Sequence, residues 1–327
     1  MLSWADFPKP IIALAPMAGY TDSSYRQLAK EVCPQIVCFT EFTNIEGLLH
    51  GNDATLRQIS FNPDKERPLV AQIFGKKPEN FKKAAARLVE MGVDAIDINM
   101  GCPAKKIVSS DHGSAMLKNP CLAGEIVAAT VEGAAGRVPV SVKTRIGTSV
   151  YHEDEFLKFA QLMEKSGAQL IIVHGRTSKQ MYGGTADWNP MYMLKNILNI
   201  PVIGNGDIKS GADAVGKLQN LDGIMVGRGT FGNPWVFLDI VAAMAGKSFT
   251  PLTFEEKIPW IIRHIELSCD FKGDQWGMLE MRKHLAWYVK GMPNASEFRK
   301  KLIMVNNREE AVQLLKNIAT LPAGVAC

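Results

Sequence analysis

Along the first three quarters of the chain, short apolar runs alternate with stretches in which apolar residues recur every three to four positions. The apolar runs are Ile11–Met17, Ile36–Thr43, Leu69–Phe74, Ala95–Met100, Val140–Ile146, Leu170–His174, Val202–Asn205 and Gly223–Val226. Their length and their flanking Gly and Pro residues mark them as buried strands. Glu79–Met91, Glu125–Ala135, Glu153–Lys165 and Ala212–Leu218 carry the helical period between them. Such a series, over the roughly 250 residues that the fold takes, predicts an α/β protein of the (β/α)8 TIM-barrel type. An open doubly wound sheet gives the same alternation, because periodicity does not report closure. The even series of strands favours the barrel.

After Pro251 the pattern changes. Glu255–Cys269, Trp276–Lys290, Ser296–Val305 and Arg308–Leu321 read as helices, broken at Gly273, Gly291-Met292-Pro293 and Asn306-Asn307, and no strand interrupts them. The expected organisation is a barrel domain over residues 1–250 and a small C-terminal all-helical domain over residues 251–327.

Composition narrows the class. The 327 residues are 46% hydrophobic and 21% charged, an ordinary globular balance. No apolar run reaches the roughly eighteen residues that a membrane span needs, and the start lacks a secretory pattern. Six cysteines without a C-x-x-C pair exclude a disulfide scaffold and argue against a zinc or iron–sulfur centre, so no metal is expected. Cys38, within a strand-like run, reads as core. A reduced, cytoplasmic protein is the economical reading.

The net charge of +4 is unevenly placed. Arg282, Lys283, Lys290, Arg299, Lys300 and Lys301 face the single acid Glu297, so this segment carries +5 and the remainder −1. Local basicity of this kind fits a polyanion-facing patch.

Chemistry in such barrels gathers at the C-terminal ends of the strands. Reading those ends in order gives Pro16-Met17-Ala18-Gly19, Glu41, Gln72, Asn99 with Cys102, Lys143 with Arg145, His174-Gly175-Arg176, Asn205-Gly206-Asp207 and Gly227-Arg228-Gly229. The last two follow strands seven and eight, where this fold commonly binds phosphate through loop amides, and Arg228 can add a bidentate contact. Plain turn glycines are the alternative. Residues Gly227 to Gly232 fit G-x-G-x-x-G formally but lie at the end of the repeats, not in a first βαβ unit, so they do not read as a dinucleotide site. Lys143 is a Schiff-base nucleophile, a clamp on an anionic centre or a snorkelling edge residue. Gln72 offers a donor and an acceptor, which complement an imide edge. A phosphate site, an amide and a lysine around one mouth suit flavin mononucleotide, whose reduced form carries negative charge that a cation stabilises. His174 has a structural alternative. Cys102, in the turn Asn99-Met100-Gly101-Cys102-Pro103, stands where a strand stops and faces the mouth, the position of a reactive group.

With those residues in view, Ala13–Asp22 (ALAPMAGYTD), Asp97–Lys105 (DINMGCPAK), His174–Thr177 (HGRT), Asn205-Gly206-Asp207 and Arg282–Tyr288 (RKHLAWY) resemble the motif series of the tRNA-dihydrouridine synthases, in the family's order and over residues 11 to 300. The resemblance places flavin contacts on Pro16, Met17, Ala18, Gln72, Lys143, Asn205, Gly206, Asp207, Gly227 and Arg228, with His174 and Asn99 beside them, and the catalytic thiol on Cys102. Ser178 stands where many members carry a basic residue, with Lys179 next to it.

The resemblance implies reduction of a uridine C5=C6 bond in tRNA. C6 is the electrophilic end of the conjugated enone, so hydride from the reduced flavin goes there and C5 needs a proton. A thiol with its ordinary pKa of about 8.5 is protonated at neutral pH and can donate it, which gives Cys102 the part of general acid. A uridine in folded RNA must be extruded and its backbone held. Arg282, Lys283, His284 and Lys290, interleaved with Trp287 and Tyr288, fit that task, as do Arg176 at the mouth and Lys105 and Lys106 in the polar segment Pro103–Leu117, which reads as a lid, an RNA-touching loop or an ordinary connection. Trp287 and Tyr288 are equally readable as core. NADPH is the electron donor by resemblance, bound transiently, and a monomer on one tRNA is the simplest assembly. A reductase of a free pyrimidine, a phosphosugar aldolase using Lys143 and a non-catalytic RNA-binding protein are the competing readings.

Overall fold

The computed structural model describes residues 3–319. Parallel strands β1 (Ile11–Leu14), β2 (Val37–Phe39), β3 (Thr43–Asn44), β4 (Leu69–Phe74), β5 (Ala95–Met100), β6 (Val140–Arg145), β7 (Ile171–His174), β8 (Val202–Asn205) and β9 (Gly223–Val226) form one sheet. β1 pairs with both β2 and β9, and β2 pairs with β4, so the sheet closes on itself. β3 adds two residues to β4 beyond the end of β2, and the two share one stave of an eight-stave barrel. The structure is the expected (β/α)8 barrel.

Two strands end more than one residue short of the expectation, each for a local reason. The first stops at Leu14 because Pro16 has no N–H to give the ladder. The second breaks between Phe39 and Thr43, where side chains take over the backbone's partners. Thr40 Oγ1 accepts the Gln72 N–H and donates to Glu41 O, and Thr43 Oγ1 also donates to Glu41 O.

Helices cover the barrel, and their starts follow capping chemistry. Asp22 accepts the Tyr25 N–H at the head of Ser23–Val32, and Asn119 accepts the Leu122 N–H ahead of Pro120, so the helix expected from Glu125 begins at Pro120. The polar segment after Cys102 holds a turn of helix, Lys105–Val108, and a 3-10 helix, Gly113–Lys118.

After the helix Val236–Met244 the chain runs through helices Phe254–Lys272, Asp274–Tyr288, Ala295–Leu302 and Arg308–Ala319. Thr320 and Leu321, the end of the last expected helix, lie outside the described residues, as does Cys327. These helices share a core with the barrel: Leu14, Val226 and Trp235 belong to the same buried cluster as Ile261, Leu285, Leu302 and Leu315. Arg263 reaches across to Glu31 at 2.8 Å, and Lys272 pairs with Asp22. Tyr20 from the β1 loop stacks on Phe231 from the β9 loop at 4.0 Å, and Trp287 Nε1 donates to the Tyr20 hydroxyl at 3.3 Å. The helical unit therefore sits against the rim of the barrel, beside the β1 and β9 loops.

Candidate active site

The strand-end residues converge on one mouth. Asn99, the penultimate residue of β5, is 7% exposed and spends its side chain on the turn that follows: Oδ1 accepts the N–H groups of Gly101 at 3.1 Å and Cys102 at 2.9 Å. A Cβ on Gly101 would sit 3.2 Å from the Thr144 carbonyl carbon, so glycine lets the turn lie close on β6. Cys102 is half-buried, and burial pushes its thiol pKa up while the Ala104 N–H, Arg145 and Lys143 pull it down. The net direction leaves the thiol protonated at neutral pH, which suits an acid better than a nucleophile. The following segment folds back on it, with the Ser114 N–H donating to Cys102 O at 3.1 Å.

Four cations stand at the mouth, two of them, Lys143 and Arg145, beside this turn. Lys143 Nζ donates to Asn205 Oδ1 at 3.2 Å, and Asn205 Nδ2 in turn donates to Met225 O at 2.7 Å. Burial, then the charge of Arg145, brings the Lys143 pKa down to about 8. Arg145 is 2% exposed and donates to the carbonyls of Gly101, Thr177 and Met181. Arg176 and Arg228 both pair with Asp207, at 2.6 and 3.4 Å. Among the described residues neither Lys143 nor Arg145 has a carboxylate within ion-pair distance. His174 is held neutral by burial and by these cations, its Nε2 3.3 Å from Arg176 Nη1. Asp207 answers Arg176 and Arg228, while Lys143 and Arg145 have no ion-pair partner among the described residues, so the mouth keeps an excess of positive charge that fits an anionic group.

The glycine loops expected to hold phosphate lie on the same rim. Gly206 has φ +133°, and a Cβ there would meet Ala186 at 2.6 Å and His174 at 3.2 Å, so only glycine closes the β8 loop this way. Gly227 leads into a short 3-10 helix, Arg228–Thr230, and the ring of Tyr182 lies 4.6 Å from the Arg228 guanidinium. Pro16, Met17 and Ala18 form the partly exposed β1 loop facing Gly227, whose Cβ position lies 3.6 Å from Met17 Sδ. Gln72 is fully buried: its Nε2 donates to Asp97 at 2.7 Å, and its Oε1 accepts from Asn99 at 2.9 Å.

Two residues expected to meet RNA are turned inward. Arg176 is 1% exposed and bound to Asp207 and to the carbonyls of Gly183 and Gly184, so it braces two loops. His284 is 4% exposed, packed 4.7 Å from His264 and stacked at 5.6 Å on Tyr25. Burial depresses its pKa well below the usual range, so it has neither surface nor charge for a phosphate. Arg282 is half-committed, donating to Val305 O and to Asn306. Lys283 lies 5.6 Å from the Tyr20 ring, and Lys290 is exposed, its ammonium 4.4 Å from the Trp287 ring. Lys105 and Lys106 are exposed. A cavity of about 470 Å³ between Ser23, Gln27, Asn62 and Arg263 is lined by none of the strand-end residues.

Comparison with known proteins agrees with the motif series. A model of the dihydrouridine synthase family matches residues 13–322. The chain belongs to the dihydrouridine synthase family. Its relatives in that family include a "Probable tRNA-dihydrouridine synthase 1" of Synechocystis, 37% identical and aligned over 92% of this chain and 84% of the relative. A "Probable tRNA-dihydrouridine synthase" of Rickettsia conorii is also 37% identical, over 90% of this chain and 89% of its own. That of Mycobacterium tuberculosis is 36% identical over 95% and 83%. Among solved structures, the old yellow enzyme homologue from Zymomonas mobilis superposes with a TM-score of 0.51 over 74% of this chain and 89% of its own. At 15% identity that likeness concerns the barrel fold, which this dihydrouridine synthase family member shares with it.

Sequence reasoning assigned no role to Asp97, Ser141 or Arg145. The signal was present for the first: an acid inside the apolar run Ala95-Ile96-Asp97-Ile98 must find partners if the strand is buried on both faces.

Proposed function

We propose that this chain reduces the C5=C6 bond of a uridine in tRNA to 5,6-dihydrouridine, with FMN bound at the barrel mouth and NADPH as electron donor, acting as a cytoplasmic monomer. The observation that carries the reading is the Cys102 thiol, kept protonated by burial beside two cations that lack a carboxylate partner among the described residues, in a member of this family. Lys143, Asn205, Gly206, Gly227 and Arg228 are the residues that would hold the flavin and its phosphate. Pro16, Met17 and Ala18 would flank it. When bound, the flavin supplies the hydride equivalent for C6.

The protein's own part is positional and protic. Cys102 delivers the proton to C5, and Lys143 and Arg145 offset negative charge that gathers at the mouth during reduction. Lys283 and Lys290, on the helical unit beside the β1 and β9 loops, grip the RNA backbone around the extruded base, with Lys105 and Lys106 meeting it from the loop after Cys102. Trp287, under Lys290, buttresses that surface.

Half-reactions test this reading. Cys102→Ala should keep its flavin and its reduction by NADPH while single-turnover reduction of uridine in tRNA falls by about 10²–10⁴, the usual share of a general acid. Normal turnover in that variant sinks the assignment. Turnover of free uracil or dihydroorotate in place of tRNA would favour a free-pyrimidine reductase.

A further inference from the structure

A line of hydrogen bonds crosses the barrel interior and ends at the Cys102 turn. Ser141 Oγ donates to Asp97 Oδ1 at 2.6 Å, Gln72 Nε2 donates to Asp97 Oδ2 at 2.7 Å, and Asn99 Nδ2 donates to Gln72 Oε1 at 2.9 Å. Asn99 Oδ1 is then the atom that accepts the Cys102 N–H. Asp97, Gln72 and Ser141 are fully buried. The register makes the line possible: Gln72 of β4 and Ser141 of β6 are the direct neighbours of Asp97 of β5.

The chemistry of the line is directional. A primary amide presents either its oxygen or its NH₂ to a neighbour with little change of shape. An ionised carboxylate accepts and never donates. Asp97 therefore obliges Gln72 to turn its NH₂ inward and its oxygen toward Asn99. Asn99 must then give its NH₂ to Gln72 and its oxygen to the backbone of the cysteine turn. One arrangement of the two amides satisfies every contact, and it is fixed from both ends, by the carboxylate and by the backbone N–H groups of the turn.

We propose that Asp97 is a positioning residue for Cys102, its carboxylate anchoring the Gln72 and Asn99 amides in the orientation that the backbone of the cysteine turn requires, and so holding that turn in place. The inference deepens the proposed function and rests on Cys102 as the proton donor there. Packing offers no competing reason for the acid. Its strand neighbours Ala95, Ile96 and Ile98 are buried and apolar, and a carboxylate among them costs stability. What the acid supplies, and an amide in its place does not, is a group that only accepts at the inner end of the line, together with a negative charge toward Lys143.

Asp97→Asn keeps the shape and replaces a group that only accepts with one that also donates. In the purified full-length holoenzyme, flavin content and flavin reduction by NADPH should stay within about twofold of the parent. Single-turnover reduction of uridine, in tRNA lacking dihydrouridine, should fall roughly 10- to 100-fold, the loss expected when a reacting group is displaced by about 1 Å. Site-resolved mass spectrometry of iodoacetamide alkylation should show a changed rate at Cys102 and an unchanged rate at the exposed Cys121. Ser141→Ala, which leaves the carboxylate and its sense of donation in place, should have the smaller effect. Asp97→Ser supplies the same readings should the asparagine variant not fold. Parent-like turnover and alkylation would overturn the proposal. So would a common loss of flavin, folding and both half-reactions, which would make Asp97 merely structural. If Cys102→Ala turns over normally, the proton-donor role fails while the alkylation readout still reports on positioning. If Cys102→Ala is inactive and alkylation is unaltered in Asp97→Asn, the positioning role alone fails.

Discussion

Arg176 Nη2 lies 2.6 and 2.9 Å from the two carboxylate oxygens of Asp207, joining the loop after β7 to the loop after β8. Asp207 also accepts the Ala186 N–H at 2.8 Å and holds a left-handed backbone, φ +50°. The pair is one-sided: the guanidinium is buried, while the carboxylate side chain is 21% exposed. Removing the acid leaves a buried cation without its counter-ion.

Asp207→Ala should therefore cost about 3–5 kcal/mol, the range for orphaning one member of a buried pair. Urea unfolding of the variant measures it. The double variant Arg176→Met with Asp207→Ala should recover part of the loss, because the two residues act as a unit. A cost below about 1 kcal/mol would put the pair among weak surface bridges.

How much of this was legible beforehand follows from distance along the chain. The strands were readable because a buried parallel strand is a local apolar run. Their ends were not: Pro16 stops β1 early, and Thr40 and Glu41 draw the backbone out of β2 through bonds to Gln72 and Gly19, far along the chain. Cys102, Lys143 and the β8 and β9 loops were readable because strand-end position is itself sequence-local. Arg176 and His284 were misplaced outward for the opposite reason. A guanidinium looks solvent-facing until Asp207 arrives from the next βα unit, and an imidazole in a basic helix looks exposed until Tyr25 packs on it from the first barrel helix.

Lys143 should make flavin binding depend on pH. Its pKa of about 8 means that the free protein loses this charge as pH rises through 8, whereas an anionic ligand beside it raises the pKa in the complex. Binding then takes up a proton, and affinity for FMN should weaken above pH 8 by up to about tenfold per pH unit. Fluorescence titration of the flavin-free protein from pH 7 to 9.5 checks the slope. Lys143→Met should bind more weakly at pH 7 and lack that slope.

The inward commitment of Arg282 separates it from Lys290 in a salt series. If both met phosphate, each neutralisation would reduce the slope of log affinity for tRNA against log salt by roughly 0.7–0.9. The hydrogen bonds of Arg282 to Val305 O and Asn306, against the exposed ammonium of Lys290, predict different outcomes. Lys290→Ala should reduce the slope by that amount with little change in stability. Arg282→Ala should leave most of the slope and lower stability by about 1–3 kcal/mol, the cost of leaving the carbonyl of the buried Val305 without its donor. Equal slope changes in the two variants would return Arg282 to the RNA face.

Asp97 should set a measurable conflict between stability and positioning. Burial raises its pKa from an ordinary 3.8 to about 6, against the pull of Ser141, Gln72 and the Lys143 charge. Between those values the folded state holds a proton that the unfolded state has released, so this group's contribution is present in full below pH 4 and is lost as pH rises through 6. A carboxyl that titrates near 6 when folded and near 3.8 when unfolded carries a difference of about 3 kcal/mol. Asparagine does not titrate. The stability of Asp97→Asn minus that of the parent should therefore rise by about 2–3 kcal/mol from pH 4 to pH 7.5, other carboxylates cancelling in the difference. Denaturant unfolding of both proteins across that range provides the curve. A difference flat in pH would mean that Asp97 titrates alike in the folded and unfolded chain. A rising difference alongside slowed uridine reduction would show an acid kept at neutral pH against the preference of the fold.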